Sequence, residues 1–535
     1  MAKAEVLIEL ESDSLDYDEC MEAFVCDKTR HALSERLSKD MSGVGFEFSA
    51  AVPPVPLFSD NDAPTRAAFT ASSAIETRNM PKRGTYVLTA SIDREQLDKV
   101  QRKRHVEKVW PCSPMVLLGE MGANSANVEP HFPGINPHFP GINPHMPGIG
   151  MHYPGINPHY PGVNPHFPGI NPHGVSEMFA DGSIDPALLP TLFDLASSSG
   201  NSTDCRPFRP GASVETIRAL LGTNRLWFEG FQGQNVVIGI LDEGVNGDVY
   251  PVIGGFNRPN SPPPGSASIQ SHGSMCAADV LVAAPQAKIM DYPFLGVPNS
   301  GGALAMFHAV LDQRRKDGTP HLTTNSYGFV GIPTDPDHEV NNPNHVLHKK
   351  VREVVRSGAP CFFSAGNCGG PCASGDCLTN GIGTGKSIHA SNCLDEVITV
   401  GAVNSRRERI GYSSQGPGHN HADGFAKCKP DISAYSHFFG NFGPGRPAGT
   451  STQPFDSGTS AACPVAAGVG ALLLSMFGEL TPEQLKGIMC QTATNIGKPG
   501  FDFETGYGVI NAAVAHHRLL WSADFSEFEF APPIC

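Results

Sequence analysis

Apolar residues follow two rhythms along this chain, and the change comes near residue 213. Downstream, short apolar and β-branched runs recur: "NVVIGILD" (235–242), "HLTTNSYG" (321–328), "APCFFSAGN" (359–367) and "EVITVGAVN" (396–404). The first is continuous rather than alternating, which suits a strand buried on both faces of a parallel sheet. Between the runs lie stretches with helical spacing, "SVETIRALLGTNRLWFEG", "GGALAMFHAVLDQRRKDG" and "NHVLHKKVREVVRSG". Strand and helix alternating over roughly three hundred residues predicts a layered α/β domain.

Upstream the pattern is more local. "EVLIEL" reads as a strand and "DYDECMEAFVCDKTRHALSERLSKD" as helical. "GTYVLTASIDREQLDKVQRKRHVEKVWP" reads as strand, helix, strand, with Asp93 and Gln96 spaced like a capping box at the start of that helix. Together these predict a small α+β domain over residues 1–112, polar and without a catalytic cluster. Residues 113–212 read as a linker. Within it "PHFPGIN" and its variants repeat over residues 130–173, bringing His131, His138, His145, His152, His159, His166 and His173. Prolines this dense cannot hold a coiled-coil heptad, so the period of seven marks turns or extended backbone. A spacer with turn chemistry is the simplest reading; metal binding and a pH-sensitive spacer stay open. The tail, 521–535, alternates like a strand.

Composition narrows the class. A formal net charge of -15 argues against nucleic acid or an anionic membrane as the main partner. No run reaches the ~18 uncharged apolar residues of a membrane span. The N-terminus lacks the basic flank and apolar core of a secretory signal, so the expectation is cytoplasmic, although 14 cysteines leave export open. Cys361, Cys368, Cys372, Cys377 and Cys393 crowd together without paired CxxC spacing, so no metal site is predicted.

In an open parallel sheet, function collects beyond the carboxyl ends of the strands. "NVVIGILDEG" puts Asp242 at such an end, and "SHGSMCAADVLVAAPQAKI" puts His272 just before a helix of small residues. "CFFSAGNCGG" ends a strand in a turn carrying Asn367. "FDSGTSAACPVAAGVGALLLS" places Ser460 at the mouth of an apolar helix, where the helix dipole favours an anion. Each of these residues alone has an ordinary reading as a cap or a turn.

Taken in order, "IGILDEGV", "HGSMCAADVLVAAPQA", "SAGNCG" and "GTSAACPVAAG" resemble the Asp, His, oxyanion Asn and Ser blocks of the subtilisin-like serine proteases, the subtilases. "NSYG", "YSSQGPG", "KPDISA" and "GYGVINAAVA" are weaker echoes. The resemblance implies a three-layer subtilisin-like α/β domain with a mostly parallel central sheet over residues 213–520. It implies a serine endopeptidase working through an acyl-enzyme, with Ser460 as nucleophile, His272 as base and then acid, and Asp242 orienting the imidazole. Asn367 would donate to the oxyanion, and Ser326, Tyr327, Gly328, Ala365 and Gly366 would line the cleft for a protein or peptide substrate. No cofactor would be required for catalysis, and family habit leaves room for a structural calcium ion. Met275 and Ala278 depart from the usual His block and Ala461 from the Ser block, which touches pocket shape and no reacting group. The related sedolisins use Glu as base and Asp at the oxyanion position, which His272 and Asn367 do not match. Residues 81–110 faintly resemble a prosegment, so the N-terminal domain reads either as an intramolecular inhibitor, with autoprocessing between Cys112 and Pro210, or as an unrelated interaction domain. A silent peptide-binding member, and a protein whose repeat is the working part, are the other readings.

Overall fold

The computed structural model describes residues 3–43, 45–49, 51–58, 84–117, 211–256, 261–294, 297–443, 455–522 and 524–528. The histidine repeat, 130–173, lies outside them.

The N-terminal unit runs β1 (Lys3–Leu10), α1 (Tyr17–Val25), α2 (Asp27–Asp40), β2 (Glu47–Phe48), β3 (Val55–Leu57), β4 (Thr85–Asp93), α3 (Leu97–Gln101) and β5 (Val106–Pro111). Its sheet has the order β2-β4-β1-β5, with β3 also on β4, and is antiparallel throughout. β1 shows why "EVLIEL" is so apolar. Val6, Ile8 and Leu10 pack with Ala23, Leu33 and Leu37 of α1 and α2, while Leu7 shares a core with Val87, Trp110 and residues of the large domain. Successive side chains point to opposite faces, so a strand buried on both needs apolar residues in both registers. Two expectations change here. The helical stretch after residue 16 is split at Cys26 into α1 and α2. The Asp93–Gln96 box is not made either: a 3-10 turn, Arg94–Gln96, starts there without a side-chain cap.

The chain continues through a short strand, β6 (Val116–Leu117), to the large unit: α4 (Val214–Leu221), α5 (Thr223–Phe228), β7 (Val237–Asp242), β8 (Val252–Gly255), α6 (His272–Ala283), β9 (Lys288–Pro293), α7 (Ser300–Asp317), β10 (Leu322–Asn325), β11 (Tyr327–Gly328), α8 (Val346–Arg356), β12 (Cys361–Ser364), β13 (Ile398–Val403), β14 (Ile432–Tyr435), α9 (Thr459–Met476), α10 (Pro482–Gln491) and α11 (Ala512–Leu520). Seven strands form one parallel sheet in the order β14-β13-β12-β10-β7-β9-β8. β7 is buried along its whole length, as its unbroken apolar run requires. One layer carries α6 and α9, with Val280, Ala466 and Leu472 in its core; the other carries α7 and α8, with Leu304, Phe307 and Val351. This is the three-layer α/β arrangement.

α9 is long and apolar enough to cross a membrane by length and composition alone. Its residues from Thr459 to Leu474 are all buried inside the large unit, against α6 and the sheet. The tail does not extend as a strand where it is described. Phe525–Phe528 form a 3-10 turn, because Phe528 is driven into the core and Phe525 packs edge-on against Phe477 at 5.8 Å.

The face of the N-terminal sheet that carries Leu7 and Trp110 covers α7 and α8. Lys350, fully buried, donates to Pro56 O at 2.6 Å and pairs with Glu353, whose Oε1 accepts from Phe58 N at 2.9 Å. Glu9 accepts from Trp110 Nε1 at 2.9 Å and from Lys349 Nζ at 3.3 Å. Residues 113–117, expected as the start of a linker, are instead built into the large unit.

Candidate active site

Asp242 ends β7, Ser326 follows β10 directly, and Asn367 comes three residues after the end of β12, so all three sit at the carboxyl edge of the sheet. His272 is the first residue of α6, capped by Ser271, whose Oγ accepts from Ser274 N at 3.0 Å. Glu243 accepts from His272 N, so this acid caps the helix rather than entering the proton path. The glycine after His272 is needed for space: a Cβ at Gly273 would lie 2.3 Å from Gly244 O.

His272 Nδ1 lies 2.8 and 2.9 Å from the two oxygens of Asp242, and both side chains are almost completely buried. A carboxylate only accepts, so Nδ1 carries the proton and the second ring nitrogen, Nε2, is the basic one. Ser460 is buried in the first turn of α9 and donates to Ser326 O at 3.3 Å; Ser326 Oγ returns a bond to Ser460 O at 3.2 Å. Cys276 ties the two halves together, with Sγ 3.6 Å from Asp242 Oδ2, 3.9 Å from His272 Nδ1 and 3.6 Å from Ser460 O.

Burial, with Asp242 adding to it, pushes the Cys276 thiol well above its ordinary range, and burial pushes Cys463 up to about 12. Both stay neutral packing groups beside the site. Among the described residues, only Asp242, His272 and Cys276 bring metal-ligating atoms close enough to share an ion, within 4.8 Å of one another, and two of them already form the hydrogen-bonded pair.

Thr459 orients the Asn367 side chain. Its Oδ1 accepts from both Thr459 N and Thr459 Oγ1 at 2.9 Å, which leaves Nδ2 as the donating end. A disulfide, Cys368–Cys377, closes the loop that follows it. Tyr327 and Gly328, expected to line the cleft, pair by backbone with the chain itself: β6 runs antiparallel to β11, with Leu117 opposite Tyr327 and Val116 opposite Gly328. On the other side Met115 N donates to Pro298 O at 2.8 Å. Ala365 and Gly366 lie between β12 and Asn367, with Gly366 N donating to Thr459 Oγ1 at 3.2 Å. A small cavity beside Val116 and Leu117 is lined by Asn367, Ser374, Asp376 and Cys377.

Two features escaped sequence reasoning. Short-range pattern gives no sign that Val116 and Leu117 meet residues two hundred positions away. Asp291, 1% exposed on β9, accepts from Gly265 N at 2.9 Å and fastens the loop between β8 and α6. Burial raises its carboxyl to about 7. The only signal was a lone acid inside an apolar strand.

One parallel sheet between two helical layers, with Asp242, His272, Asn367 and the helix-entrance Ser460 near its carboxyl edge, is the framework of a serine-type endopeptidase. The particular family is then plain: residues 233–508, more than half of the chain, match the subtilase family, and the chain belongs to it. Subtilisin DY of Bacillus licheniformis is 27% identical over 308 residues, covering 55% of this chain and 96% of that protein. Fervidolysin of Fervidobacterium pennivorans is 25% identical over 359 residues, covering 61% of this chain and 47% of that protein; its crystal structure, described as a keratinolytic enzyme related to subtilisin, aligns with 16% identity and a TM-score of 0.48, over 100% of this chain and 62% of that one. A calcium-dependent protease of Trichormus variabilis is 25% identical over 344 residues, 56% of this chain and 49% of that protein. The chain thus spans about half the length of the last two relatives. It is a serine endopeptidase of the subtilase family.

Proposed function

We propose that Asp242, His272 and Ser460 are the catalytic triad of this endopeptidase and that the N-terminal unit is its prosegment. His272 Nε2 takes the proton of Ser460 Oγ as the oxygen bonds to the scissile carbonyl carbon. Asn367 Nδ2 and Ser460 N donate to the resulting oxyanion, where preorganised donors act most strongly. His272 then passes the proton to the leaving amine as the C–N bond breaks. A water, deprotonated by the same imidazole, hydrolyses the acyl-enzyme. Asp242 fixes the tautomer and stabilises the imidazolium. The observation that carries the assignment is the buried Asp242–His272 pair with Ser460 held beside it through Cys276 and Ser326.

The strand 116–117 supports the prosegment reading, because it occupies the cleft by backbone pairing, as a peptide substrate would. Leu117 lies opposite Tyr327, and the residue before Tyr327, Ser326, bonds Ser460 Oγ, so the described strand ends close to the proposed nucleophile. Self-cleavage within a residue or two past Leu117 is therefore the proposed processing event. Catalysis needs no cofactor, and the calcium-dependent relative supports at most a stabilising calcium ion.

A fluorophosphonate probe tests the triad. It should add to Ser460 in the wild type and fail to add in His272→Ala. Unlabelled Ser460 in a preparation that hydrolyses casein would sink the assignment.

A further inference from the structure

Four residues before Leu117, the side chain of Ser113 enters a polar pocket that the triad does not use. Its floor is Glu339, which is completely buried. Ser113 Oγ donates to Glu339 Oε2 at 2.8 Å, and Ser113 N donates to Glu339 Oε1 at 3.2 Å and to Ser300 Oγ at 2.9 Å. Ser113 O accepts from Ser300 N at 3.0 Å. Ser300 Oγ itself donates to Glu339, and His338 Nε2 lies 2.8 Å from Ser113 Oγ. All three polar groups of this one serine are engaged.

The chemistry is selective for a hydroxyl. A carboxylate accepts only, so the Ser113 proton goes to Glu339 and the His338 Nε2–H donates back to the same oxygen. His338 Nδ1 faces Val340 N–H at 3.1 Å and Glu339 Oε2 at 3.2 Å. The pocket is held from behind as well, since His348 Nε2 reaches Glu339 O at 2.8 Å. An alanine at position 113 would leave a buried carboxylate and an imidazole N–H each short of a partner. Sites built to bond a hydroxyl discriminate against the analogue lacking it far more strongly than apolar pockets discriminate by size.

The pocket is also continuous with the cleft. Pro114 bridges to Asn299, Met115 N bonds Pro298 O, and Val116 and Leu117 pair with β11, so the extended chain runs unbroken from Glu339 toward Ser460. We propose that Ser300, His338 and Glu339 form a remote substrate subsite that selects peptides bearing a hydroxyl side chain four residues before the one paired with Tyr327. The proposal rests on the prosegment strand marking the path of a substrate. Ser113 is then the chain's own occupant of the subsite, and it sets the register of the strand that blocks the cleft.

Two fluorogenic peptides test it on the self-processed protein, Ser-Pro-Met-Val-Leu-Leu and Ala-Pro-Met-Val-Leu-Leu, each carrying a C-terminal coumarin amide. The serine peptide should be cleaved with a kcat/KM at least about tenfold higher, since its hydroxyl bonds a charged group. Glu339→Gln should shrink that ratio to less than about threefold. The ratio compares two substrates on one enzyme, so a loss of folded protein cancels. Equal cleavage by the wild type, an unchanged ratio in the variant, or cleavage of neither peptide while casein is hydrolysed each overturns the subsite. Failure to hydrolyse casein as well overturns the cleft reading beneath it.

Discussion

At the scale of single residues, the site is made of groups whose surroundings leave them one role each. His272 cannot turn without losing both Asp242 oxygens, and Asn367 cannot flip without placing its amine against Thr459. Asp291 is the exception, an acid with a structural duty and a cost that depends on pH. Its folded carboxyl titrates at about 7 against 3.8 for the ordinary group, because burial disfavours the charge. A raised value means that the folded state holds a proton the unfolded chain releases. The corresponding stability is present in full below about pH 4 and lost as pH rises through 7, by at most about 4 kcal/mol. Asp291→Asn removes the titration. In urea unfolding, the variant's stability relative to wild type should therefore rise from pH 4 to about pH 7 and level off above it. A difference that stays flat over that range would contradict the burial argument.

At the scale of elements, the long apolar segments were the most legible. β7 and α9 follow from "NVVIGILD" and from the small-residue run after Ser460, because burial on all sides leaves no room for polar positions. What local pattern missed was decided by packing. Cys26 interrupts a stretch whose spacing reads as one helix, and Phe528 turns an alternating tail into a 3-10 turn by entering the core. The weak capping box at Asp93 lost to the short turn that leads into α3. The small residues of α9 have a measurable purpose: they let the Ser460 helix lie directly on the His272 helix. A Cβ at Gly468 would sit 2.2 Å from Val280 O, a backbone atom that cannot rotate away. Alanine would gain about 1 kcal/mol of helix propensity there, yet forcing two packed helices apart costs typically 1–3 kcal/mol or more. Gly468→Ala should therefore lower the melting temperature, and lower kcat beyond what the unfolded fraction explains. A melting temperature equal to or above wild type would show that the helices are not in such close contact.

At the scale of the whole molecule, the proposed prosegment would make the chain an enzyme that carries its own first ligand. The subtilase family was legible because each of its four blocks is a local motif. The covering of α7 and α8 was not, since Lys350, Glu353 and Glu339 bond to backbone and to a single hydroxyl that look unremarkable in sequence. Non-local pairing of this kind leaves no periodicity to read. The surface that holds the N-terminal unit and the cleft that holds Val116 and Leu117 are joined by six residues, Cys112 to Leu117. Docking of the one therefore sets the register of the other. Linking the two contacts through so short a segment raises the local concentration of the strand at the cleft.

Intact-mass analysis of the purified protein beside its Ser460→Ala variant tests the central claim most directly, that Ser460 acts on a chain laid along β11. The wild type should split into two fragments at a bond within a residue or two past Leu117, while the variant keeps its full mass. A wild type that stays whole, or a variant cut at the same bond, would contradict the account.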